Sequence, residues 1–374
     1  MAQQEKKKYW LIASLALFAV YVFAAAQPIP KERILIPRWL SSLESGYPLP
    51  IANGGSPSAA ADAQETIAPY LPFHLGSYFG YVDGAGNFAL NRKQQENLSV
   101  SETRWAEYAA KPELIEIRDP RGESILTVEN VRGYPFFLDN RTFFISDEQN
   151  SLSALDDEGN LLWTCDFASP LTCIDAAAGL ILTGSLDGMV EVLDSSGKRV
   201  FSFEPGGSRL AVILGCSISR DGSRLGIISG IDDQRFLLLE RFGPPESGEY
   251  KVSYHEFLED GFRRGVHISF IDSDNRIAFE RQGGLGIYEI NNRTGQKIPL
   301  EGEIAALDRE GSSGLLFVIT SQSKLQKRLA VISLPGTIII EAPFKSEDVF
   351  LGRQGPRLYL GGGSTLASFE LGRK

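Results

Sequence analysis

Cysteine, histidine and methionine are scarce in this chain of 374 residues, which has three cysteines, three histidines and two methionines. The histidines have neither the i, i+4 spacing nor the clustering of a zinc site, and no two cysteines are adjacent. The chain also lacks a Gly-x-Ser-x-Gly elbow, a phosphate-binding loop with lysine and a His-Glu-x-x-His run. We therefore predict no catalytic residue, no cofactor and no metal ligand.

Positive charge is in deficit as well. Lysine and arginine number 37 against 47 aspartates and glutamates, which gives a formal net charge of -10. Contacts to nucleic-acid phosphates need clustered basic side chains, so we predict no nucleic-acid partner. Helical heptads are missing too, and strand signals continue from about Gly76 to the C-terminus. The composition therefore favours one all-β domain.

The chain does contain repeats. Seven times, a run of alternating apolar residues leads into a tight polar or glycine turn and then another strand. The copies begin at Leu114, Leu152, Met189, Phe236, Leu285, Leu329 and Thr365. Successive copies lie 36 to 49 residues apart, the period of a four-stranded propeller blade. The repeats therefore predict an all-β β-propeller of seven four-stranded blades within residues 75–374, although an irregular N-terminal region leaves room for an eighth.

The turns support the register of the repeats. In the first three copies an Asp stands three positions before a Gly, which suits a type I turn closed by a glycine with positive φ. We place the strands of the first blade at residues 78–82, 87–91, 114–118 and 124–128, with an insertion at 98–108. A longer excursion in the fourth blade covers residues 243–250.

Residues 1–26 have the pattern of an export signal. Lys6, Lys7 and Lys8 precede an uncharged apolar stretch at 9–26, which predicts an N-terminal apolar helix with the following chain exported. Small residues before Gln27 suit cleavage by a signal peptidase, and the apolar run is also long enough to remain as a transmembrane anchor. Both outcomes stay open.

A linker rich in Pro, Ser, Ala and Gly follows at residues 27–74. One piece of it, residues 33–36, is β-branched enough to add a closing strand to the final blade. That blade has only three strands of its own, near Val349, Leu358 and Leu366.

Residues 151–207 resemble tandem pyrroloquinoline-quinone-type propeller repeats. They have a strand ending in Asp, a turn ending in Gly, a strand carrying Trp163 or Phe201, and a Gly-Ser-x-Asp-Gly hairpin at 184–188. Residues 217–229 resemble the Ser-x-Asp-Gly hairpin of WD-type repeats. The resemblance implies a propeller fold and leaves the activity open, since propellers serve many functions.

Quinone dehydrogenases of this superfamily imply vicinal cysteines and a calcium site, and this chain has neither. The chain is more similar to the non-enzymatic relatives, above all the propeller subunit of the outer-membrane β-barrel assembly machinery, in its tandem blades and export signal. It departs from that subunit by lacking a lipid-attachment cysteine.

Three aromatic residues are our candidate contacts for a partner. Trp105 lies in the first-blade insertion, and Tyr250 and Tyr254 follow the fourth-blade excursion, where we expect exposed side chains. We expect the three cysteines to be small buried core residues, although a Cys165–Cys173 bridge is conceivable. An axial site built from His255, His267 and carboxylates such as Asp272 or Asp274 is the alternative, since a ring brings distant residues together.

The sequence as a whole predicts a non-catalytic scaffold for protein interactions in a bacterial cell envelope. Its partners would be envelope proteins, together with the membrane if the N-terminal helix is retained. The expected location is the periplasm or cell envelope, with an inner-membrane anchor in the uncleaved form. The alternative is an enzyme or ligand-sensing propeller with a small-molecule or metal site on the central axis.

Overall fold

The computed structural model describes residues 14, 18, 21, 33–46, 70–129, 133–243, 249–259, 261–311 and 314–373. These residues fall into two compact units. The larger runs from Leu35 to Glu370, and every site described below lies within it.

Every element in the described part of the chain is a β-strand. The first sixteen are β1 Arg33–Ser42, β2 Leu71–Leu75, β3 Tyr78–Val82, β4 Phe88–Lys93, β5 Asn97–Val100, β6 Trp105–Tyr108, β7 Leu114–Arg118, β8 Ser124–Glu129, β9 Tyr134–Leu138, β10 Arg141–Ile145, β11 Ser151–Leu155, β12 Leu161–Asp166, β13 Leu171–Ala177, β14 Leu180–Ser185, β15 Val190–Leu193 and β16 Arg199–Phe203. The others are β17 Ile213–Ile218, β18 Arg224–Ser229, β19 Arg235–Phe242, β20 Glu249–Phe257, β21 Ile268–Ile271, β22 Arg276–Arg281, β23 Gly284–Glu289, β24 Thr294–Pro299, β25 Glu303–Leu307, β26 Leu315–Ser321, β27 Gln326–Ser333, β28 Thr337–Lys345, β29 Val349–Gln354, β30 Arg357–Gly362 and β31 Thr365–Arg373.

The strands form eight antiparallel sheets, which are the blades of an eight-bladed propeller. Blade 1 is β2–β4, and blades 2 to 7 are β5–β8, β9–β12, β13–β16, β17–β20, β21–β24 and β25–β28. Blade 8 combines β29, β30 and β31 with β1, which is its outermost strand. The first strands of neighbouring blades contact one another, for example β13 with β17 and β17 with β21, so the first strands surround the axis.

Blade 1 has three described strands, and the turn between β3 and β4 identifies their positions within the blade. The turn that begins at Asp83 joins β3 to β4, and the Gly86 N–H donates to the Asp83 carbonyl at 3.1 Å. The same bond, from Gly122 to Asp119 at 2.9 Å, closes the turn between the third and fourth strands of blade 2. A register shift precedes the Asp in both cases. The described strands of blade 1 therefore correspond to the second, third and fourth strands of the other blades.

The prediction of seven blades is wrong. The prediction joined β3 and β4 with β7 and β8 into one blade and treated residues 98–108 as an insertion. In the structure β5 and β6 lie there, and β5–β8 form a sheet separate from β2–β4. Both strands have only four residues, and β6 pairs with β7 only through Trp105 and Arg118. Strands this short show too few alternating residues for a period-2 pattern to be recognised.

The predicted N-terminal apolar helix lies almost wholly outside the described residues, and no helix is among the elements of the described part of the chain. Only Ser14, Phe18 and Tyr21 of that stretch belong to the described residues, and the fold is all-β in its described elements. Where the chain is described, no helix is long and apolar enough to span a membrane.

Because neighbouring strands are antiparallel, the turns alternate between the two faces of the ring. We call face A the side of the turns between first and second strands, at residues 101–104, 139–140, 178–179, 219–223, 272–275, 308–311 with 314, and 355–356. Face B is the opposite side, with the turns between second and third strands and the connections between blades, such as 186–189, 204–212, 230–234 and 322–325.

A ring of hydrogen bonds on the face A side joins every neighbouring pair of blades. In order from blade 1 to blade 2 onward, the donor and acceptor atoms are Tyr81 Oη to Ser101 O at 2.8 Å, Thr103 Oγ1 to Asn140 Oδ1 at 2.7 Å, Gly179 N to Asp139 Oδ2 at 3.4 Å, Ile218 N to Asp175 Oδ2 at 2.9 Å, Arg220 N to Asp274 Oδ2 at 2.8 Å, Asp272 N to Glu310 O at 3.1 Å, Arg353 to Asp308 Oδ2 at 2.8 Å and Arg357 to Gly84 O at 2.9 Å. Side chains or turn amides on one blade thus bind groups on the next around the whole ring.

The hydrophobic core lies between the blades. Leu182 and Val192 of blade 4 pack against Ile227 and Leu237 of blade 5, and all four are buried. The next interface continues in the same way with buried aromatic and aliphatic residues of blades 5 and 6. Each sheet therefore buries its middle strands against both neighbours, as face-to-face packed sheets do.

Candidate functional site

Two of the three aromatic residues predicted as partner contacts lie inside the blades. Trp105 is 2% exposed; its indole N–H donates to the Asp119 carbonyl at 2.8 Å and its ring packs edge-on against Phe79. Tyr250 is 5% exposed, and its hydroxyl donates to the Gly222 carbonyl at 2.6 Å. The expectation that these side chains are exposed is wrong, because both belong to strands whose alternation points them inward.

Tyr254 is half-buried on the outermost strand of blade 5. Its ring stacks on Tyr288 of blade 6 with centroids 4.0 Å apart, and burial, followed by the charge of Glu256, raises the pKa of its hydroxyl. Tyr254 therefore helps to join two blades and presents little of its ring to solvent.

The structure does not bring the predicted axial residues together. His255 is exposed on outermost strand β20, whereas His267 precedes innermost strand β21. Asp272 pairs with Arg276, and Asp274 accepts the hydrogen bond from the backbone of Arg220. Within the described ranges, no three His, Cys, Asp or Glu side chains are grouped so that they could hold a metal ion.

A cavity of about 150 Å³ lies instead between the innermost strands of blades 4, 5 and 6. It is lined by Ile174, Asp175, Cys216, Ser217, Ile218, Arg220, Ile268, Ser269, Phe270, Asp274 and Arg309. The lining combines two carboxylates, two guanidinium groups and two hydroxyls with an aliphatic and aromatic wall. Such a cavity has room for a few water molecules or one small polar solute.

Asp175 is the half-buried charge of this cavity. Its Oδ2 accepts the Ile218 N–H of the next blade at 2.9 Å, and its Oδ1 accepts the Ala176 N–H at 3.0 Å. Burial nevertheless raises the pKa of this carboxyl, outweighing these N–H groups and the nearby charge of Arg309. A cationic group entering the cavity would therefore add to the charge of Arg309 in favouring the ionised carboxylate.

A further group of charged residues lies beside the cavity, on β22 and in the segment that precedes β21. The Glu280 carboxylate is 1% exposed and is bound by the Arg264 guanidinium at 2.7 and 3.1 Å. His267 lies next to this pair, and burial lowers the pKa of its imidazole despite the attraction of Glu280, while Arg309 and Arg264 lower it further. The His267 imidazole therefore favours its neutral form beside the ion pair of Arg264 and Glu280.

The second feature is an apolar patch on face B at blades 4 and 5. Leu186, Leu210 and Phe257 are 52, 54 and 56% exposed, and we call these three residues the blade 4–5 patch. They occupy one stretch of the face: the turn of Leu186 packs at Gly188 against Ala211, and the Arg235 guanidinium contacts Gly207 and lies over the Phe257 ring.

Asp232 fixes the loop that presents Leu210. Its carboxylate accepts hydrogen bonds from the Ser208 hydroxyl, the Arg209 side chain at 3.2 Å and the Leu210 N–H at 3.4 Å. These donors, the Ser208 hydroxyl first, lower the pKa of Asp232 well below its usual range. The loop is therefore held in one conformation while the Arg209 side chain remains 93% exposed.

Sequence reasoning missed both features. Asp232 lies 22 to 24 residues from the loop that it binds, and Asp175 lies 43 residues from its backbone partner. No local motif marks such pairs. The Ser-x-Asp and Asp-Asp pairs near these turns are common in ordinary hairpins, so the signal appears only once the blade register is known.

Comparisons with known proteins agree with this architecture. An uncharacterized protein of Treponema pallidum is 25% identical over 372 residues, which is 99% of this chain and 96% of that protein. Among solved structures, BamB from Moraxella catarrhalis is similar with a TM-score of 0.54 and 13% identity, covering 80% of this chain and 96% of that one. The computationally designed Ika8 protein is similar with a TM-score of 0.56 and 14% identity, over 82% and 98%.

The two solved structures show likeness of fold alone at these identities. A family model described as beta-propeller protein matches residues 1–373, nearly the whole sequence. The propeller part of the sequence-based resemblance is thereby confirmed. The chain belongs to this beta-propeller family.

Proposed function

We propose that this propeller is a non-catalytic platform that binds another protein through the blade 4–5 patch on face B. The observation that carries the proposal is the exposure of Leu186 and Leu210 on preorganised turns and of Phe257 at the end of β20. Apolar side chains grouped on a rigid surface are typical of interaction sites. Because Asp232 already orders the loop of Leu210, binding would lose little conformational entropy there.

The charge around the patch indicates the kind of partner. Arg209 projects from the same loop and is 93% exposed, with one side of its guanidinium bound to Asp232. A partner that offers an apolar pocket with an acidic rim would match both features. Arg is common at the centres of such contacts because it combines charge with a flat apolar face.

A pull-down with tagged, crosslinked protein tests this surface. The double variant Leu186→Ser with Leu210→Ser should recover at least about tenfold less of the partner than the unchanged chain, since burying each leucine contributes about 1.5 kcal/mol or more. The matched control is Leu161→Ser with Leu162→Ser, two leucines that are 62 and 58% exposed beside a face A turn. Equal recovery by both double variants would contradict the proposal.

We also propose an envelope location, with envelope proteins as partners. The support is the sequence of residues 6–26, in which three lysines precede an apolar stretch. Cell fractionation together with sequencing of the mature N-terminus tests this: protein in the envelope fraction is expected, and full-length protein confined to the cytoplasmic fraction would refute it.

A second function, binding of a small cationic or zwitterionic solute, is favoured by the cavity at Asp175. The half-buried carboxylate would bind an amine, and the exposed Arg309 guanidinium would bind a carboxylate. A thermal-shift screen of small amines and amino acids should find a ligand that stabilises the chain but not its Asp175→Asn variant. Equal stabilisation of both proteins would exclude this site.

A further inference from the structure

Two of the three thiols meet across the interface between blades 4 and 5. Cys173 lies on β13 and Cys216 on β17, the innermost strands of the two blades, and these strands contact each other. Cys173 packs against the buried cluster that contains Cys216, and both thiols are free. The packing therefore brings together two cysteines from separate sheets.

The two cysteines differ in their access to a reagent from solvent. The Cys173 sulfur lies 2.7 Å from the point where a Cβ would stand on Gly184, so only glycine at that position leaves room for it. Cys173 is half-buried, whereas Cys216 is 8% exposed and lines the cavity. A small reagent would thus reach Cys173 first.

The third thiol provides an internal comparison. Cys165 is 7% exposed on β12, the outermost strand of blade 3, where it lies opposite Leu152. Burial raises the pKa of Cys165 despite the nearby charge of Arg199. For Cys216 the largest cause of a raised pKa is its hydrogen bond with Cys173, followed by burial.

We propose that Cys173 and Cys216 form a disulfide between blades 4 and 5 when the protein reacts with a small disulfide oxidant. The Cys173 thiolate attacks one sulfur of the oxidant and releases one thiol, which leaves a mixed disulfide on Cys173. Cys216 then loses its proton and attacks the Cys173 sulfur, releasing the second thiol. The two cysteines together lose two protons and two electrons, and the oxidant disulfide is reduced to two thiols.

The bond would connect the part of the ring that carries the blade 4–5 patch. The chain between the two cysteines contains the rest of blade 4 and the 204–212 connection, which presents Leu210. A crosslink between β13 and β17 would restrict the separation of these blades, and it would consume a thiol of the cavity wall. Oxidation would therefore restrict the relative motion of the two blades that carry the blade 4–5 patch.

Peptide mapping of the full chain under non-reducing conditions tests the pairing. The protein is incubated with oxidised glutathione at about pH 8, free thiols are alkylated, and the digest is examined by mass spectrometry. The expected result is a crosslinked peptide pair containing Cys173 and Cys216, with Cys165 alkylated. A bond that involves Cys165, three alkylated cysteines, or a glutathione adduct that stays on Cys173 would each overturn the proposal.

Thermal unfolding provides a second readout that does not depend on peptide recovery. Oxidation should raise the midpoint by about 5 °C in the unchanged chain, and a reductant should reverse the shift. The Cys165→Ser variant should show the same shift, whereas the Cys173→Ser variant should show none. Equal shifts in both variants would refute the Cys173–Cys216 bond.

Discussion

The two faces of the ring use their polar and apolar residues differently. On the face A side, turn amides, carboxylates and arginines of each blade bind the next blade, and together they complete a circle of hydrogen bonds. On face B, the turns of blades 4 and 5 leave leucines and a phenylalanine exposed. The polar side chains on face A thus join neighbouring blades, whereas the exposed apolar side chains on face B are available to contact a partner.

The largest effect should come from Arg353 near face A. Its guanidinium is 4% exposed and binds Asp308, which is 1% exposed, at 2.8 Å. The Arg353→Met variant leaves a buried carboxylate without its charge partner, so the free energy of unfolding in urea should fall by about 3–5 kcal/mol.

The matched control for Arg353 is the exposed pair of Lys324 and Glu347, whose lysine lies in a face B turn and whose side chains are 77 and 55% exposed. Lys324→Met should leave the urea midpoint unchanged within error, because water already screens that pair. If both variants lost equal stability, the contrast between the faces would be wrong.

A smaller effect should come from Gly197, in a face A turn of blade 4. Its φ is +79°, and an added Cβ would lie 2.4 Å from the Trp163 ring. Gly197→Ala should lower the free energy of unfolding by about 3 kcal/mol, of which about 1 is backbone strain and the rest is displacement of the tryptophan.

Gly206, in the face B connection, is the control for Gly197. Its φ is +62°, and nothing lies within 4 Å of an added Cβ. Gly206→Ala should therefore show only the backbone strain of about 1 kcal/mol, measured by the same denaturation. A larger loss for Gly206→Ala than for Gly197→Ala would contradict the packing argument.

Asp221 provides a pH-dependent test in the 219–223 turn of face A. Burial tends to raise its pKa, but hydrogen bonds from Ser219 and Ser223 outweigh burial and lower it to about 2. A carboxyl with a lowered folded-state pKa stabilises the fold above its unfolded value near 3.8, and this stabilisation is lost as the pH falls toward 2.

The Asp221→Asn variant should accordingly be about 1 kcal/mol less stable at pH 7, a figure reduced for solvent exposure. The difference from the unchanged chain should shrink when the pH is lowered from 5 to about 2.5. Urea unfolding of both proteins at several pH values measures this, and a difference that is constant with pH would exclude the mechanism.

The smallest effect on stability should come from the exposed patch of face B. Leu210 is 54% exposed, so Leu210→Ser should change the free energy of unfolding by less than about 0.5 kcal/mol. Partner recovery should nevertheless fall. A large loss of stability would mean that Leu210 is part of the core, and the proposed surface would then need another explanation.

The sequence predicted the propeller from features that repeat locally. The Asp and Gly of each turn lie three residues apart, and the structure closes these turns with the Asp carbonyl and Gly N–H, for example Asp156 with Gly159 at 3.2 Å. The alternation of apolar residues in the middle strands likewise corresponds to burial between blades, as in β15. Local geometry of this kind can be read from spacing alone.

The number of blades and the candidate site depended on longer-range contacts. Two four-residue strands in blade 2 carry too little alternation to be recognised, and this produced a count of seven. Trp105 was expected on a surface loop, yet the pairing of its strand buries it against Phe79 of blade 1. Clusters such as Asp232 with Ser208 and Leu210 form only when separate turns meet in the folded ring.

Ring closure by β1 has a consequence for the order of synthesis. Among the described strands β1 is synthesised before all the others and its partner β31 after them, and the pair of Arg38 with Glu370 spans 332 residues. Bringing such distant ends together has an entropic cost of about 5 kcal/mol. The other seven described sheets can therefore fold as they emerge, while blade 8 has to wait until β31 has been synthesised. Until then β1 is an unpaired strand that needs protection from wrong partners.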